Sequence, residues 1–324
     1  MSICRFGIIG AGSIAAHFCK GVKLVEGAEV VAVASSSQER AKAFAQANDV
    51  PEAYGSYEQM LQKADINVVY VATTHNFHMD NIRLCFDYGK HVLCEKAMVL
   101  TAADAREVFR MAREKNLFCM EAMWTRFLPA IEEAQRIVAS GEIGEIRAIE
   151  ADFCYRTAPN AVPRLYLPDL AGGSLLDVGV YGLHFAAIFL GSAPETLLAL
   201  GHTDQGVDIH TSILLKYKDG AIANITSAIG VAKPESGYIY GTEGWITFPC
   251  FYGPQELTVH THQGERRIEK PYVGNGFEEE ILEVCRCIRE GKRQSDIMPL
   301  GETITILRQM DAVREQIGLR YPFE

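Results

Sequence analysis

One short run near the N-terminus limits what this chain can fold into. Gly10-Ala11-Gly12-Ser13-Ile14-Ala15 is a G-x-G-x-x-A sequence set directly after the apolar run Arg5 to Ile9. The first glycine permits a tight turn, and the second lets a pyrophosphate approach the backbone. The small Ala15 lets the following helix pack on the sheet. The helix N-terminus then faces the anion. Alone, such a pattern is weak, because glycines also serve plain turns. Its place between a strand and a helix, at the start of a βαβ alternation, makes it strong.

That alternation continues through the first third of the chain. Arg5 to Ile9, Glu29 to Ala34, Ile66 to Ala72, His91 to Cys94 and Phe118 to Glu121 are short apolar runs of strand type. Between them, Ser13 to Leu24, Gln38 to Ala47, Asn76 to Tyr88 and Ala102 to Lys115 carry helical spacing. Thr101 with Asp104 is an N-terminal capping pattern for the last of these. Continuous apolar strands separated by helices predict a doubly wound parallel sheet covered on both faces, an α/β Rossmann domain over residues 1–122. After Ala122 the rhythm changes. A helix from Ala130 to Ala139, a strand from Ile146 to Tyr155, a loop from Thr157 to Gly173 and a helix from Leu175 to Leu190 precede a run of strands. Turn signals such as Lys218-Asp219-Gly220 and Thr242-Glu243-Gly244 separate those strands, and helices Phe277 to Arg289 and Glu302 to Ile317 follow. Residues 123–324 therefore read as an α+β domain with a large, mostly antiparallel open sheet, whose uncovered face invites dimerisation.

Composition decides which partners are plausible. Lys+Arg 31 against Asp+Glu 41 gives a net charge of −10, which repels phosphate backbones and anionic membrane surfaces. A small-molecule partner is expected, with neither nucleic acid nor membrane. The stretch Leu175 to Ala193 is apolar but carries Asp177 and His184, which a lipid-spanning helix rarely tolerates. The N-terminal run reads as a first strand and not as a signal peptide. Nine cysteines form no CxxC pair, and their odd number fits reduced, buried thiols in a cytoplasmic protein. His75 and His78 form an HxxH pair without a third ligand, which is too little for a metal site, so no metal is expected.

The end of the second strand bears on the cofactor. An acid roughly 20 residues beyond the glycines would hold the adenosine ribose of NAD. Ser35, Ser36 and Ser37 stand there instead, with Arg40 close behind. Hydroxyls and a guanidinium suit a 2′-phosphate, so NADP is favoured and NAD remains possible. For Arg40 the alternative is a solvent-facing side chain one helical turn on.

Several motifs in order resemble the glucose–fructose oxidoreductase and inositol dehydrogenase family (Gfo/Idh/MocA). They are the glycine loop, Ala72-Thr73-Thr74-His75-Asn76 with His78, Glu95-Lys96, and Gly172-Gly173-x-Leu175-x-Asp177-x-Gly179-x-Tyr181-x-x-His184. Glu121 to Phe127 and Ala171 to Tyr181 are most similar to the branch of dimeric dihydrodiol dehydrogenases and NADP-dependent xylose dehydrogenases. Ala97 and Thr74 stand where the family usually has proline, Ser36 where NADP-using relatives often carry arginine, and His184 where many members have an acid.

The resemblance implies a hydride transfer between nicotinamide and a hydroxyl or carbonyl of a sugar, polyol or cyclic trans-diol, in a homodimer. Lys96 lies at the C-terminal end of a strand, the edge where open α/β sheets bind ligands, and can trade a proton with a substrate hydroxyl. Asp177, Tyr181 and His184 fall at i, i+4 and i+7, one face of a helix. The resemblance makes Tyr181 a proton donor beside Lys96, with Asp177 orienting both. A blander reading pairs Ser174 with Asp177 in a capping box and leaves Tyr181 and His184 in the core. The implied cofactor residues are Gly10, Gly12, Ser13, Ile14, Ala15, Ser35, Ser36, Arg40, Thr73, Thr74, Asn76, His78, Glu95, Lys96, Trp124 and Arg126. Trp124 has core packing as its alternative. His184, Tyr155 and Arg164 are the expected substrate contacts, with loop exposure as the alternative for Tyr155 and Arg164. The rival function is a non-catalytic nucleotide-binding sensor or regulator on the same fold.

Overall fold

The computed structural model describes residues 4–323. In chain order the first part contains β1 (Cys4–Ile9), α1 (Ser13–Val22), β2 (Ala28–Ala34), α2 (Gln38–Asn48), β3 (Glu52–Tyr54) and α3 (Tyr57–Lys63). It continues with β4 (Val68–Val71), α4 (His78–Asp87), β5 (His91–Glu95), α5 (Ala102–Lys115) and β6 (Cys119–Ala122). The six strands run parallel in the order β3-β2-β1-β4-β5-β6. Strand order reverses between β1 and β4, so their C-terminal ends open the crevice where such sheets bind dinucleotides. β4 is buried along its whole length, as strands covered on both faces must be. Phe18 of α1 stacks on Tyr70 of β4 with ring centroids 3.8 Å apart, and Phe6 of β1 meets Phe18 edge-on at 5.2 Å. Fully burying each such ring is worth about 1.5–3 kcal/mol, so this cluster pins α1, and the glycine loop before it, to the sheet.

The second part contains α6 (Pro129–Ala139), β7 (Ile146–Cys154), α7 (Val180–Leu190), β8 (Thr196–Asp204), β9 (Val207–Lys216) and β10 (Ile222–Ala228). Then come β11 (Gly237–Gly241), β12 (Gly244–Phe248), β13 (Glu256–Thr261), β14 (Gly264–Glu269), α8 (Phe277–Arg289) and α9 (Leu300–Ile317). Its eight-stranded sheet is ordered β14-β13-β12-β11-β7-β10-β9-β8, antiparallel throughout except for the parallel pair β7–β10. One face carries Ile149, Ile213, Leu215, Ile225, Ile239 and Ile246, all buried. A π-helical turn, Leu175–Gly179, runs into α7 over that face. Gly182 makes the approach possible: a Cβ there would sit 2.4 Å from a methyl of Ile225. The helical stretch Pro168–Leu190 is long and apolar enough to cross a membrane by composition, yet 83% of its apolar window is buried inside the protein.

The chain forms two compact units, and they do not divide it at one point. One holds the residues up to Val99, Ala103–Trp124 and Val273–Ile304; the other holds Leu100–Ala102, Thr125–Tyr272 and Thr305 onward. The expected 122/123 boundary lies beside the observed one at Trp124. The assignment of all later residues to a second domain needs correction, because Val273–Ile304 returns to the first unit. Gly21 of α1 explains the return. Lacking a side chain, it lets α8 come so close that a Cβ would meet Phe277 Cβ at 3.0 Å and Ile281 Cδ1 at 3.1 Å.

Candidate active site

The glycine loop has the conformation a phosphate cradle needs. Gly10 adopts φ +106° and lies so near β4 that a Cβ would stand 2.5 Å from the Ala72 carbonyl oxygen. Gly12, the N-cap of α1, has nothing within 4 Å of its Cβ position. Ser13 is exposed, Ile14 is half-buried, and Ala15 is packed against the sheet. The first turn of α1 holds no acidic residue, so its N–H groups and dipole face the crevice without competition from a carboxylate. These residues fit a dinucleotide pyrophosphate. At the end of β2, Ser35 is buried and Ser36 is exposed, while Ser37 caps α2 by accepting from the Arg40 amide at 3.3 Å. Ser36 and the exposed Arg40 are therefore the groups open to a ribose or its phosphate. Thr73, Thr74 and Asn76 follow β4: Asn81 donates to the Thr73 hydroxyl at 3.0 Å, and the Thr74 hydroxyl donates to Asn76 Oδ1 at 2.7 Å.

Lys96 follows β5 directly and is half-buried. Its turn is gripped from several sides. His75 Nε2 lies 3.2 Å from the Lys96 carbonyl, and His78 Nδ1 lies 3.1 Å from that of Ala97 and 3.2 Å from that of Met98. Burial holds the His78 imidazole below its usual range, and the carbonyls of Thr73, Ala97 and Met98 pull weakly the other way. Glu121 accepts from the Met98 amide at 3.0 Å and from the Thr303 hydroxyl at 2.7 Å. The two histidines thus clamp the backbone beside the lysine. No group of metal-ligating residues occurs among the described residues.

A buried acid cluster underlies the same turn. Tyr70 donates to Glu95, whose other oxygen accepts from the Lys96 amide at 3.3 Å. Glu280 of α8 is fully buried, and neither of its oxygens has a hydrogen-bond partner among the described residues. Burial first, then the Glu95 charge, pushes its carboxyl well above the usual carboxylate range, so the neutral acid is favoured. The same two causes push the Tyr70 hydroxyl up. Sequence reasoning missed Tyr70 and Glu280, and it read Glu121 as part of a motif without giving it a role. One signal was present for Glu280: it lies on the apolar stripe Phe277, Ile281, Val284, where an acid is out of place. Trp124 stacks on Phe277, centroids 5.5 Å apart, so it lies against α8.

In the second unit Asp177 is the hub. Tyr155 donates to one of its oxygens at 2.8 Å, and Arg164 donates to the other at 3.0 Å. Burial, reinforced by the Asp177 charge, pushes the Tyr155 hydroxyl far up. Tyr181 is nearly buried and its ring lies 5.4 Å from Phe153 and 5.8 Å from Tyr252. Phe153 in turn stacks on Tyr252 at 3.9 Å. A carboxylate, a tyrosine and a wall of aromatic rings thus occupy one end of the second sheet, and the arrangement suits hydroxyl groups on a ring. His184, one turn beyond Tyr181 on α7 and an expected substrate contact, has no exposed surface. Arg126 is half-buried in a short 3₁₀ turn, Trp124–Phe127. The Ser174–Asp177 capping box does not form; Ser174 makes no cap bond to its own helix and donates instead to Asp208 at 2.6 Å.

A dinucleotide cradle with a lysine at the strand edge, joined in one chain to an open antiparallel sheet carrying a carboxylate–tyrosine cluster, defines a two-unit nucleotide-dependent oxidoreductase architecture. Residues 4–123 match the GFO/IDH/MocA oxidoreductase family with its NAD-binding Rossmann fold, and residues 131–247 match the GFO/IDH/MocA C-terminal domain. The chain belongs to this family. It is similar to the trans-1,2-dihydrobenzene-1,2-diol dehydrogenases of Xenopus laevis and Homo sapiens, each 36% identical over 98% of this chain and 99% and 98% of the relative. Among solved structures it resembles a 3-ketoreductase from Actinomadura kijaniata in complex with NADP and TDP-benzene. That likeness has a TM-score of 0.89 and 26% identity over 97% of this chain and 98% of the other. An aldose-aldose oxidoreductase from Caulobacter crescentus shares the fold, with a TM-score of 0.87 at 24% identity over 97% of each chain.

Proposed function

We propose that this chain is an NADP-dependent dehydrogenase or reductase acting on a CH–OH group, or the corresponding carbonyl, of a sugar, polyol or cyclic trans-diol. The observation that carries the proposal is full-length identity of 36% to relatives named as diol dehydrogenases, in a chain that keeps the cradle, Lys96, Asp177 and Tyr181. When bound, the nicotinamide supplies the hydride acceptor or donor. Lys96 and Tyr181 hold and move the substrate hydroxyl proton, and Asp177 orients the substrate from a position fixed by Tyr155 and Arg164. The aromatic wall of Phe153 and Tyr252 packs against the substrate ring and excludes water. Absorbance at 340 nm, followed over a panel of aldoses and cyclic trans-diols with each cofactor, tests this reading. Turnover of at least one class supports it; binding of NADP(H) with no turnover anywhere would favour a sensor.

NADP is favoured over NAD by the missing acid at the end of β2 and by Arg40, which has no carboxylate partner among the described residues. Fluorescence titration should show tighter binding of NADPH than NADH. Arg40→Ala should weaken NADPH by roughly tenfold, the loss of one charge-assisted phosphate contact, and leave NADH unchanged. Tighter NADH binding by the wild type would sink this preference.

The protein is further proposed to be a cytoplasmic homodimer. All nine cysteines are free, and eight are buried, as in a reducing compartment. The outer face of the second sheet carries Leu198, Leu214, Ile222 and Trp245, all more than 40% exposed, with Trp245 stacked on His260 at 4.6 Å. Register places Leu198 beside Leu214, and Tyr240 beside Trp245, across neighbouring strands. A contiguous apolar and aromatic sheet face of this kind suits a two-fold partner. Light scattering should give a dimer at about micromolar concentration, and Leu214→Glu should shift it toward monomer. A monomeric wild type would count against this interface.

A further inference from the structure

We infer that Asp208 is a positioning residue for the reaction, its buried carboxylate fixing the first turn of the helix that carries Asp177 and Tyr181. The inference rests on the proposed roles of Asp177 and Tyr181. Asp208 lies at the start of β9 with no exposed surface. Its Oδ2 receives three donors: the Ser174 hydroxyl at 2.6 Å, the Leu175 amide at 2.9 Å and the Thr211 hydroxyl at 2.9 Å. Leu175 opens the π-helical turn, which has no side-chain cap of its own. A helix start leaves several N–H groups without intrahelical partners, and an anion there also meets the favourable end of the dipole. Asp208 supplies that anion from a strand more than thirty residues further along the chain.

The surroundings are built to admit the carboxylate. Gly173 adopts φ +112°, and a Cβ on it would lie 2.2 Å from Asp208 Oδ1. Ser174 also lies 3.0 Å from the Ser227 hydroxyl of β10, tying the same turn to a second strand. Asp177 follows two residues after Leu175, and Tyr181 six, so the register of this anchor sets where both point.

The groups facing Asp208 are Ser174 and Leu175 from the turn above, Thr211 from its own strand, and Ser227 from β10 through Ser174. None of them carries charge. Burial pushes the Asp208 carboxyl up to about 6, against the opposing pull of its three donors. The anchor is therefore charged at neutral pH and neutralised in mild acid. Hydrogen bonds to a charged acceptor are roughly twice as strong as neutral ones, so protonation loosens the turn. Because the folded-state value is raised, the folded protein holds this proton more tightly than the unfolded chain. This group thus stabilises the fold as pH falls through about 6, and a loss of activity in that window is not unfolding caused by Asp208.

The test is the pH profile of kcat for wild type, Asp208→Asn, Thr211→Val and Tyr181→Phe, with NADPH binding measured by fluorescence on the same samples. The wild type should lose kcat on an acid limb with a midpoint near 6 while still binding NADPH. Asp208→Asn should lower kcat at neutral pH by about 10- to 100-fold, the scale of a misplacement of about an ångström, and should lack that limb. Thr211→Val removes a donor to the charged form and should move the limb to higher pH. A merely structural role would lower the folded fraction and leave the limb where it is. An Asp208→Asn enzyme with near-normal kcat and an unchanged acid limb would overturn the inference; so would a wild type with no such limb. Should Asp208→Asn fail to fold, an unmoved limb in Thr211→Val overturns it equally. Normal turnover of Tyr181→Phe would instead remove the proton-handling proposal, whatever Asp208 does.

Discussion

Lys96→Met is expected to lose turnover by about 10²–10⁴-fold, the usual contribution of a general acid–base group, while NADPH still binds. The substitution keeps an unbranched side chain of similar reach and removes the proton carrier. The cradle at Gly10 and Gly12 is untouched, and the backbone around residue 96 remains clamped by His75, His78 and Glu121. Tyr181→Phe should lose rate on a similar scale. It deletes one hydroxyl and keeps the ring contacts with Phe153 and Tyr252, so packing survives and the loss is chemical. If both residues serve one proton path, the double variant should be little worse than the poorer single variant. Steady-state kinetics at saturating cofactor decide the matter, and multiplicative losses would show two independent roles.

The second large effect concerns the two glycines of the cradle, which should fail in opposite ways. At Gly12 the Cβ position is open, so Gly12→Val should fold and melt within a few degrees of wild type. Its isopropyl group would occupy the space a pyrophosphate needs, and NADPH affinity should fall about tenfold or more, ~1.4 kcal/mol at least. Gly10→Ala meets the Ala72 carbonyl at 2.5 Å from a φ of +106°. Left-handed strain and overpacking together cost roughly 2–5 kcal/mol, so this variant should be damaged in stability before binding is considered. Thermal melts paired with fluorescence titration separate the two outcomes. A Gly12→Val protein that binds NADPH normally would remove the loop from the cofactor site.

Much of this was legible because the deciding signals are local. The strand–glycine–helix order placed β1 and α1, and helical spacing located Ala102–Lys115 and Phe277–Arg289 at the bounds the structure shows. The edge strand β3 and the helix α3 escaped notice because three and seven residues are too short for periodicity to register. Other features depend on contacts distant in sequence. Gly21 lets α8 pack back in the first unit, and the chain passes between the units at five points and not one. Ser174 and Asp177 have the spacing of a capping box, but the hydroxyl finds a stronger acceptor in Asp208, which no reading of neighbouring residues could anticipate. Tyr155 and Arg164 were read from a loop-rich region as substrate-side residues; the structure shows both bound to Asp177, a partner their own spacing does not reveal.

The most direct test of the central claim is isotopic. A substrate found active at 340 nm is prepared with deuterium on the carbon bearing the reacting hydroxyl and incubated with NADP⁺ and the wild-type enzyme. The account predicts that the deuterium appears at C4 of the nicotinamide ring in the isolated NADPH, and that Lys96→Met transfers it at an initial rate lower by about 10²–10⁴-fold. Product formed while the label is lost to solvent, or an equal initial rate of transfer by Lys96→Met, would contradict it.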